Sequence, residues 1–406
     1  MRAERDGSHI GLIALRLALT ALQAAAMVGL AAVFGVARFS EIAVLWGATA
    51  LAGAAMSGGG AVILLRHLCD GHGLRGQALL KVLLLWPLGL CGLLLPALLW
   101  VEASVLLPAI AAGFAFNLLQ NAASILRATG SLGLSMAVRD GVPVLAIVGA
   151  AFAGEMAMAF AAAMGAAGLL ALQFGVPGLA RRGLLSPAGG EAAPDAAQWA
   201  NGFAGMAVAQ IDILLSSLLL PPSAAGLYAL LRRLANLATL PASAAVWVIA
   251  PDVATAGRLG DAKMLAQSRR RFQRVTIRPT VALACAILPV GLAVALALPA
   301  EETLSVTGLS LLCLLLLAGV QNLTAGDIGV ATLTGVARRA VMCRLLIVAT
   351  VALAAPLATA VLGLSGMALT ALLGGVSGVI FFGGIEARGW RGAGSGPRAL
   401  RSGEVR

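Results

Sequence analysis

Charge is scarce in this sequence. Only 11% of its 406 residues are Asp, Glu, Lys or Arg, while 60% are hydrophobic. A soluble protein carries about 25% charged residues, so the deficit points to an integral membrane protein. Short strands alternating in polarity, the mark of a transmembrane barrel, are also missing. The apolar runs are continuous and about 20 residues each, the length that crosses a bilayer as a helix. Cysteine is sparse: Cys69, Cys91, Cys285, Cys313 and Cys343 form no CxxC pair and mostly sit inside apolar segments. They read as small buried hydrophobes, without a disulfide or zinc signal. His9, His67 and His72 have no metal spacing, and no Ser-His-Asp set or carboxylate pair converges in a loop. Nothing therefore argues for an enzyme, a metal or another cofactor. The Gly-rich "MSGGGAVILL" lacks the Lys-Ser/Thr of a phosphate loop and reads as close helix packing.

What is present is a series of apolar runs with charges between them. Twelve spans are predicted, near 10–36, 41–65, 79–100, 104–127, 133–153, 156–179, 198–220, 224–250, 277–299, 304–334, 336–361 and 366–386. The run 304–334 is long for one crossing and must tilt, break or project. The odd-numbered connections are short: 37–40, 101–103, 154–155, 221–223, 300–303 and 362–365. They hold one basic residue, Arg38, with Glu102, Glu155, Glu301 and Glu302 in or beside them. The other side carries Arg2, Arg5, Arg66, Arg75, Arg181, Arg182, the cluster "KMLAQSRRRFQR", Arg338, Arg339 and a basic tail. Excess Lys and Arg marks the cytoplasmic side, so both termini are expected there. The N-terminus, charged and then apolar, reads as a retained first helix. The same scatter explains the net charge of +11 without nucleic acid. The segment 252–276 reads as a charged surface helix.

The two halves resemble each other. "FSEIAVLW" from Phe39 aligns with "PSAAGLYA" from Pro222. "ATGSLGLSMAVR" (Ala128 to Arg139) matches "LTGVARRAVMCR" (Leu333 to Arg344), with Asn117 and Asn322 thirteen residues before the two glycines. "MAMAFAAAMG" and "MALTALLGG" open the last helix of each half. The expected fold is all-α, with twelve transmembrane helices in two pseudo-symmetric six-helix bundles around a central cavity. An even-numbered repeat places the pseudo-axis along the membrane normal. Residues 1–180 form the first bundle, 181–197 a Pro/Gly/Ala-rich cytoplasmic linker and 198–386 the second bundle; 387–406 form a basic, disordered cytoplasmic tail.

Several polar residues stand out inside these spans. Tyr228, Arg232, Asn236 and Thr239 share one helical face. The preceding helix carries Gln210, Asp212, Ser216 and Ser217. Asp212 and Arg232 lie nine residues either side of the "PPS" turn, both about 13 Å below the outer surface, so a salt bridge is possible. One reading gives Arg232 and Arg233 to a cavity that offers guanidinium to an anionic ligand. The other has them snorkel to the outer interface, which suits Arg233, about 100° around the helix. Asn117, Gln120, Asn121 and Ser124 make a polar stripe on the fourth span, for a cavity or for interhelical hydrogen bonds. Asp327, between Gly326 and Gly329, is an intramembrane carboxylate. It is either an ion site or a partner of Arg344 or Arg139. Arg139 and Arg344 either ring the inner mouth or merely set orientation.

The stretch Gln210 to Ala254 resembles the bacterial polysaccharide-export and O-antigen flippases. These belong to the multidrug/oligosaccharidyl-lipid/polysaccharide exporter superfamily, which includes the MATE transporters. The resemblance rests on Asp212, on Gly226 to Tyr228, on Ala250 and Pro251, on the Thr-Gly pairs, and on Gly366 to Ala368. It implies two six-helix bundles in a V and alternating access. It also implies an undecaprenyl-pyrophosphate-linked oligosaccharide as substrate, moved across the bacterial inner membrane for polysaccharide or lipopolysaccharide synthesis. Membrane lipid, a polysaccharide polymerase and chain-length proteins are the implied partners. The first half departs from the pattern, with Leu45, Thr49 and Ala50 where the second has Tyr228, Arg232 and Arg233. Twelve spans also lack the extra helices of the lipid II flippase relative. A cation-coupled drug exporter of the same superfamily is the alternative, though it favours acidic groups in the lumen. A glycan polymerase or ligase would need a larger outer loop.

Overall fold

A computed structural model of the chain describes residues 2–69, 73–94, 103–186, 189, 195–245, 262–298, 302–333 and 337–387. Among these the architecture is helical, apart from one isolated bridge between Leu74 and Leu185.

The first helical segment divides at Gly35 into α1 (2–34) and α2 (36–56). Gly35 has φ 78° and ψ 158°, a conformation open only to a residue without Cβ. The connection expected over 37–40 is therefore a single residue. Arg38 and Glu41 pair on the first turns of α2 instead of lying in a loop. The span expected over 41–65 is interrupted too. α2 ends at Met56, Gly58 and Gly59 turn with positive φ, and α3 (Gly60–Cys69) follows.

The rest of the first half is α4 (76–94), α5 (Ala103–Ala128), α6 (132–151) and α7 (Met156–Arg181). Single π-turns interrupt α4 over Lys81–Leu85 and α6 over Ala137–Gly141. The second half is α8 (Ala196–Leu219), α9 (222–245), α10 (Ala262–Ala297), α11 (Leu304–Leu333), α12 (337–362) and α13 (364–387). Asp195 caps α8 by accepting from the amides of Ala197 (3.0 Å) and Gln198 (3.1 Å). α12 and α13 divide at Gly363, again with positive φ. The long run 304–334 is one unbroken helix of 30 residues, about 45 Å in length.

The basic cluster after Ala262 is not a separate surface helix. It forms the first turns of α10, because no glycine or proline precedes Pro279 in that helix. Residues 252–261, the linker residues 187–188 and 190–194, and the tail 388–406 lie outside the described residues.

Eight described helical segments are long and apolar enough to cross a membrane by length and composition. The chain is a multi-pass membrane protein. Side-chain packing shows how the helices run. Leu15 and Leu19 meet Gly133 and Gly141 at one end of α1, while Phe34 meets Phe152 at the other, ring centroids 5.0 Å apart. α1 and α6 therefore run parallel. α2 returns, bringing Gly60 against Asn121 of α5. The side holding Leu15, Gly60, Thr129 and Trp199 is termed the terminal side. The side holding Gly35, Phe152 and Pro221 is the far side.

The core is distributed unevenly between these sides. Toward the far side one apolar cluster joins both halves, linking Met27, Phe39 and Ile42 to Leu227, Leu230, Leu231 and Leu314. The backbones meet directly at Gly226, where a methyl group would stand 1.7 Å from the Val36 carbonyl oxygen. Two other clusters, around Leu64 and Leu179 and around Leu119 and Leu126, belong to the first half alone. A third, around Cys343, Ile347 and Phe382, belongs to the second. Lipid tails are as apolar as leucine, so association inside the membrane rests on close packing. The halves are thus bound tightly at the far side and leave a cavity between them.

Candidate functional site

That cavity is about 700 Å³ and is walled by both halves. α1 contributes Arg16, Thr20 and Gln23; α2 contributes Trp46; α5 contributes Asn117 and Gln120; α6 contributes Arg139 and Asp140. From the second half come Gln198 and Gln210 on α8, Arg232, Arg233 and Asn236 on α9, and Gln321 on α11.

Charge is arranged in layers. Behind the wall Asp212 is 2% exposed and Tyr228 fully buried. Arg232 donates from Nε to Asp212 Oδ2 at 2.7 Å, and the Tyr228 hydroxyl donates to the same oxygen at 3.0 Å. Arg232 also donates to the side chain of Asn236. The Arg232 guanidinium is therefore neutralised and fixed, and only 2% of the residue is exposed. At the opposite wall Arg139 pairs bidentately with Asp140, both contacts 2.8 Å, within the π-turn of α6.

Arg233 is held differently. Its guanidinium carbon lies 5.6 Å from the Trp46 ring centroid, and Nη2 donates to Gln210 Oε1 at 3.4 Å. Its buried Nε has no hydrogen-bond partner among the described residues, and no carboxylate pairs with it there. Arg233 does not snorkel outward, because the face of α9 that bears it packs on α2 rather than on lipid. The buried Nδ2 of Asn117 is a second donor on this wall that meets no acceptor.

Other candidates sit elsewhere. Tyr228 is a prop for Asp212 rather than a wall residue. Asn121 is buried behind Asn117, to which it donates at 3.4 Å. Asn322 donates to Thr280 and to the Ala238 carbonyl inside the second bundle, away from the cavity. Arg344 donates to the backbone and side chain of Asn201, tying α12 to α8. Asp327 is part of α11, with its side chain outside what the structure describes, and the Thr334–Gly335 pair lies outside the described residues. Arg16, Trp46 and Gln198 were not singled out from the sequence. For Arg16 the signal was available: with Thr20 and Gln23 it makes an i, i+4, i+7 polar stripe in an apolar run. Trp46 carried none, since an aromatic in an apolar span reads as packing.

No protein-family model matches the chain, and no curated protein matches it. Solved structures do. A MATE transporter in complex with MaL6 aligns over 95% of this chain and 97% of its own, with TM-score 0.65 and 14% identity. The chain shares the fold of this transporter. The lipid II flippase MurJ in its inward closed conformation aligns over 93% of this chain and 87% of its own (TM-score 0.63, 12% identity). A superfamily transporter from Pyrococcus furiosus, described as having a binding pocket of reverse polarity that suggests a different function, aligns over 94% of both chains (TM-score 0.56, 14% identity).

Proposed function

We propose that the chain is a flippase. It moves an undecaprenyl-pyrophosphate-linked oligosaccharide across the bacterial inner membrane by alternating access, for polysaccharide or lipopolysaccharide synthesis. The observation that carries this reading is Arg233, a cation in the cavity wall that pairs with no carboxylate among the described residues. A desolvated guanidinium with an unfilled donor is unfavourable by itself and favourable once a phosphate oxygen accepts from it. Amide and hydroxyl groups of Thr20, Gln23, Asn117, Gln120 and Gln198 line the same cavity, the partners that sugar hydroxyls need.

The sealed far side and the position of the cavity support a cycle. With the termini in the cytoplasm, the diphosphate and sugars enter from the inner leaflet while the prenyl chain stays in lipid. Release outward then requires the far-side core around Gly226 to part. A cation antiporter fits the wall less well. Its described carboxylates, Asp140 and the underlying Asp212, are already occupied by Arg139 and Arg232. A cation would have to displace an arginine.

The test is deletion of the gene in its host with lipid-linked glycan measured on each leaflet. The flippase reading expects accumulation on the cytoplasmic leaflet, reversed by wild type and not by well-expressed Arg233→Ala. Unchanged surface glycan with no accumulation would sink the reading and bring drug efflux forward.

A further inference from the structure

The first half of α10 combines two surfaces that are usually separate. Ser268, Phe272, Thr276 and Thr280 are buried and recur every four residues, so they form the stripe that packs on the second bundle. Phe272 seats against Gly326 of α11. The other side of the helix is exposed. It carries Arg270, Arg274 and Arg278, also four residues apart, and then Val275, Ile277 and Val281. At 100° per residue, Arg274, Arg278, Ile277 and Val281 all fall within about 80° of Arg270. The exposed apolar strip of Ile277 and Val281 therefore shares its face with Arg270 and Arg274 toward the start of the helix and with Arg278 between the two apolar residues, over about 16 Å of rise. The helix contains no Asp or Glu. Among the described residues none of these three arginines makes an ion pair.

We infer that this face of α10 binds the headgroups of anionic phospholipids in the leaflet on the terminal side. Charge complementarity selects them, and the shared azimuth brings them within reach. Arginines placed only to set topology have no reason to stand in register with the lipid-facing strip. Guanidinium matches phosphate geometry bidentately, and each basic group near a membrane surface contributes about fivefold in binding to anionic lipid. The inference depends on the membrane position of α10 and not on what the cavity carries.

The test uses the full-length protein in phosphatidylcholine nanodiscs, with spin-labelled phosphatidylglycerol or phosphatidylcholine as probe. The motionally restricted fraction reports association. The expected result is a preference for the anionic probe of about fivefold or more. It should fall to near unity in R270Q/R274Q/R278Q and be largely kept in R270K/R274K/R278K. Should the glutamine variant not fold, 1 M salt on the wild type replaces it, because a Debye length of about 3 Å removes the attraction. No preference in the wild type, or one that survives both the glutamine variant and salt, overturns the inference. So does a glutamine variant that loses a protein partner while keeping the lipid preference.

Discussion

Arg233 of α9 stands over the indole of Trp46 of α2, so a cation of the second half rests on an aromatic ring of the first. The contact crosses the cavity wall and ties ligand binding to the spacing of the two bundles. A desolvated cation–π pair is worth about 2 kcal/mol. Trp46→Leu should therefore weaken transport by up to about thirtyfold, while Trp46→Phe, which keeps a ring, should weaken it less. Arg233→Ala should remove about tenfold or more of transport while lowering the unfolding temperature less than Arg232→Ala does, since Arg233 anchors no buried carboxylate. Leaflet-resolved glycan and a melting curve on each purified variant check both parts. A large loss of melting temperature in Arg233→Ala would show that the residue is structural.

Asp212 and Arg232 should behave in the opposite way. Removing one member of a fully buried pair strands the other charge, at a cost of about 3–5 kcal/mol. Asp212→Ala and Arg232→Ala should each lower the unfolding temperature strongly. The double replacement Asp212→Leu with Arg232→Met should be milder than the sum of the two. Tyr228→Phe removes one hydrogen bond to the charged carboxylate and should cost about 1.5–3 kcal/mol. Thermal unfolding in one detergent across the set measures the coupling, and strict additivity would rule out the pairing.

The sequence made the class of fold readable because lipid imposes length. Each apolar run had to be a helix, and the charges between runs had to sort by side. Boundaries were harder where one residue decided them. Gly35 turns the chain alone, and "SGGG" breaks a span that hydropathy reads as continuous. At the site, Asp212 and Arg232 were legible as a pair from their equal distance to the "PPS" turn. The roles of the two arginines were not, because helical phase says which residues share a face but not what faces them. α2 lies where lipid was one of the options, and that places Arg233 in the cavity. Asn322 and Arg344 carry the right chemistry for a lumen but point into packing between helices of one bundle, which a single sequence does not reveal.

Gly35 offers a controlled stability test. With φ 78° and ψ 158° it occupies a region that other residues enter at about 1–3 kcal/mol. Gly29 lies in the same segment with ordinary helical backbone and open space where a methyl would go. Gly35→Ala should lower stability by that amount, whereas Gly29→Ala should be neutral or stabilise by up to about 1 kcal/mol. Unfolding of the two variants side by side separates backbone strain from the general effect of adding a methyl. Equal behaviour would mean that the α1–α2 turn tolerates a side chain.

Gly226 tests the cycle itself. Its Cα hydrogen faces the Val36 carbonyl, and a methyl group there would approach that oxygen to 1.7 Å, far inside contact distance. Backbone cannot yield as a flexible side chain can, so Gly226→Ala forces α9 and α2 apart at the far side while leaving the cavity residues in place. In alternating access that penalty falls only on the state with the far side sealed, and a state with the far side open is spared it. Each 1.4 kcal/mol of difference shifts the ratio of the two states about tenfold. Spin labels at Arg38 and Leu218, both exposed near the far side, should show a longer-distance population in Gly226→Ala that is minor in the wild type. Arg233→Ala removes one contact between the halves without touching Val36 or Gly226, so it should shift this distribution less. A distance distribution unmoved by Gly226→Ala would mean that the far side does not open by separation of α2 from α9.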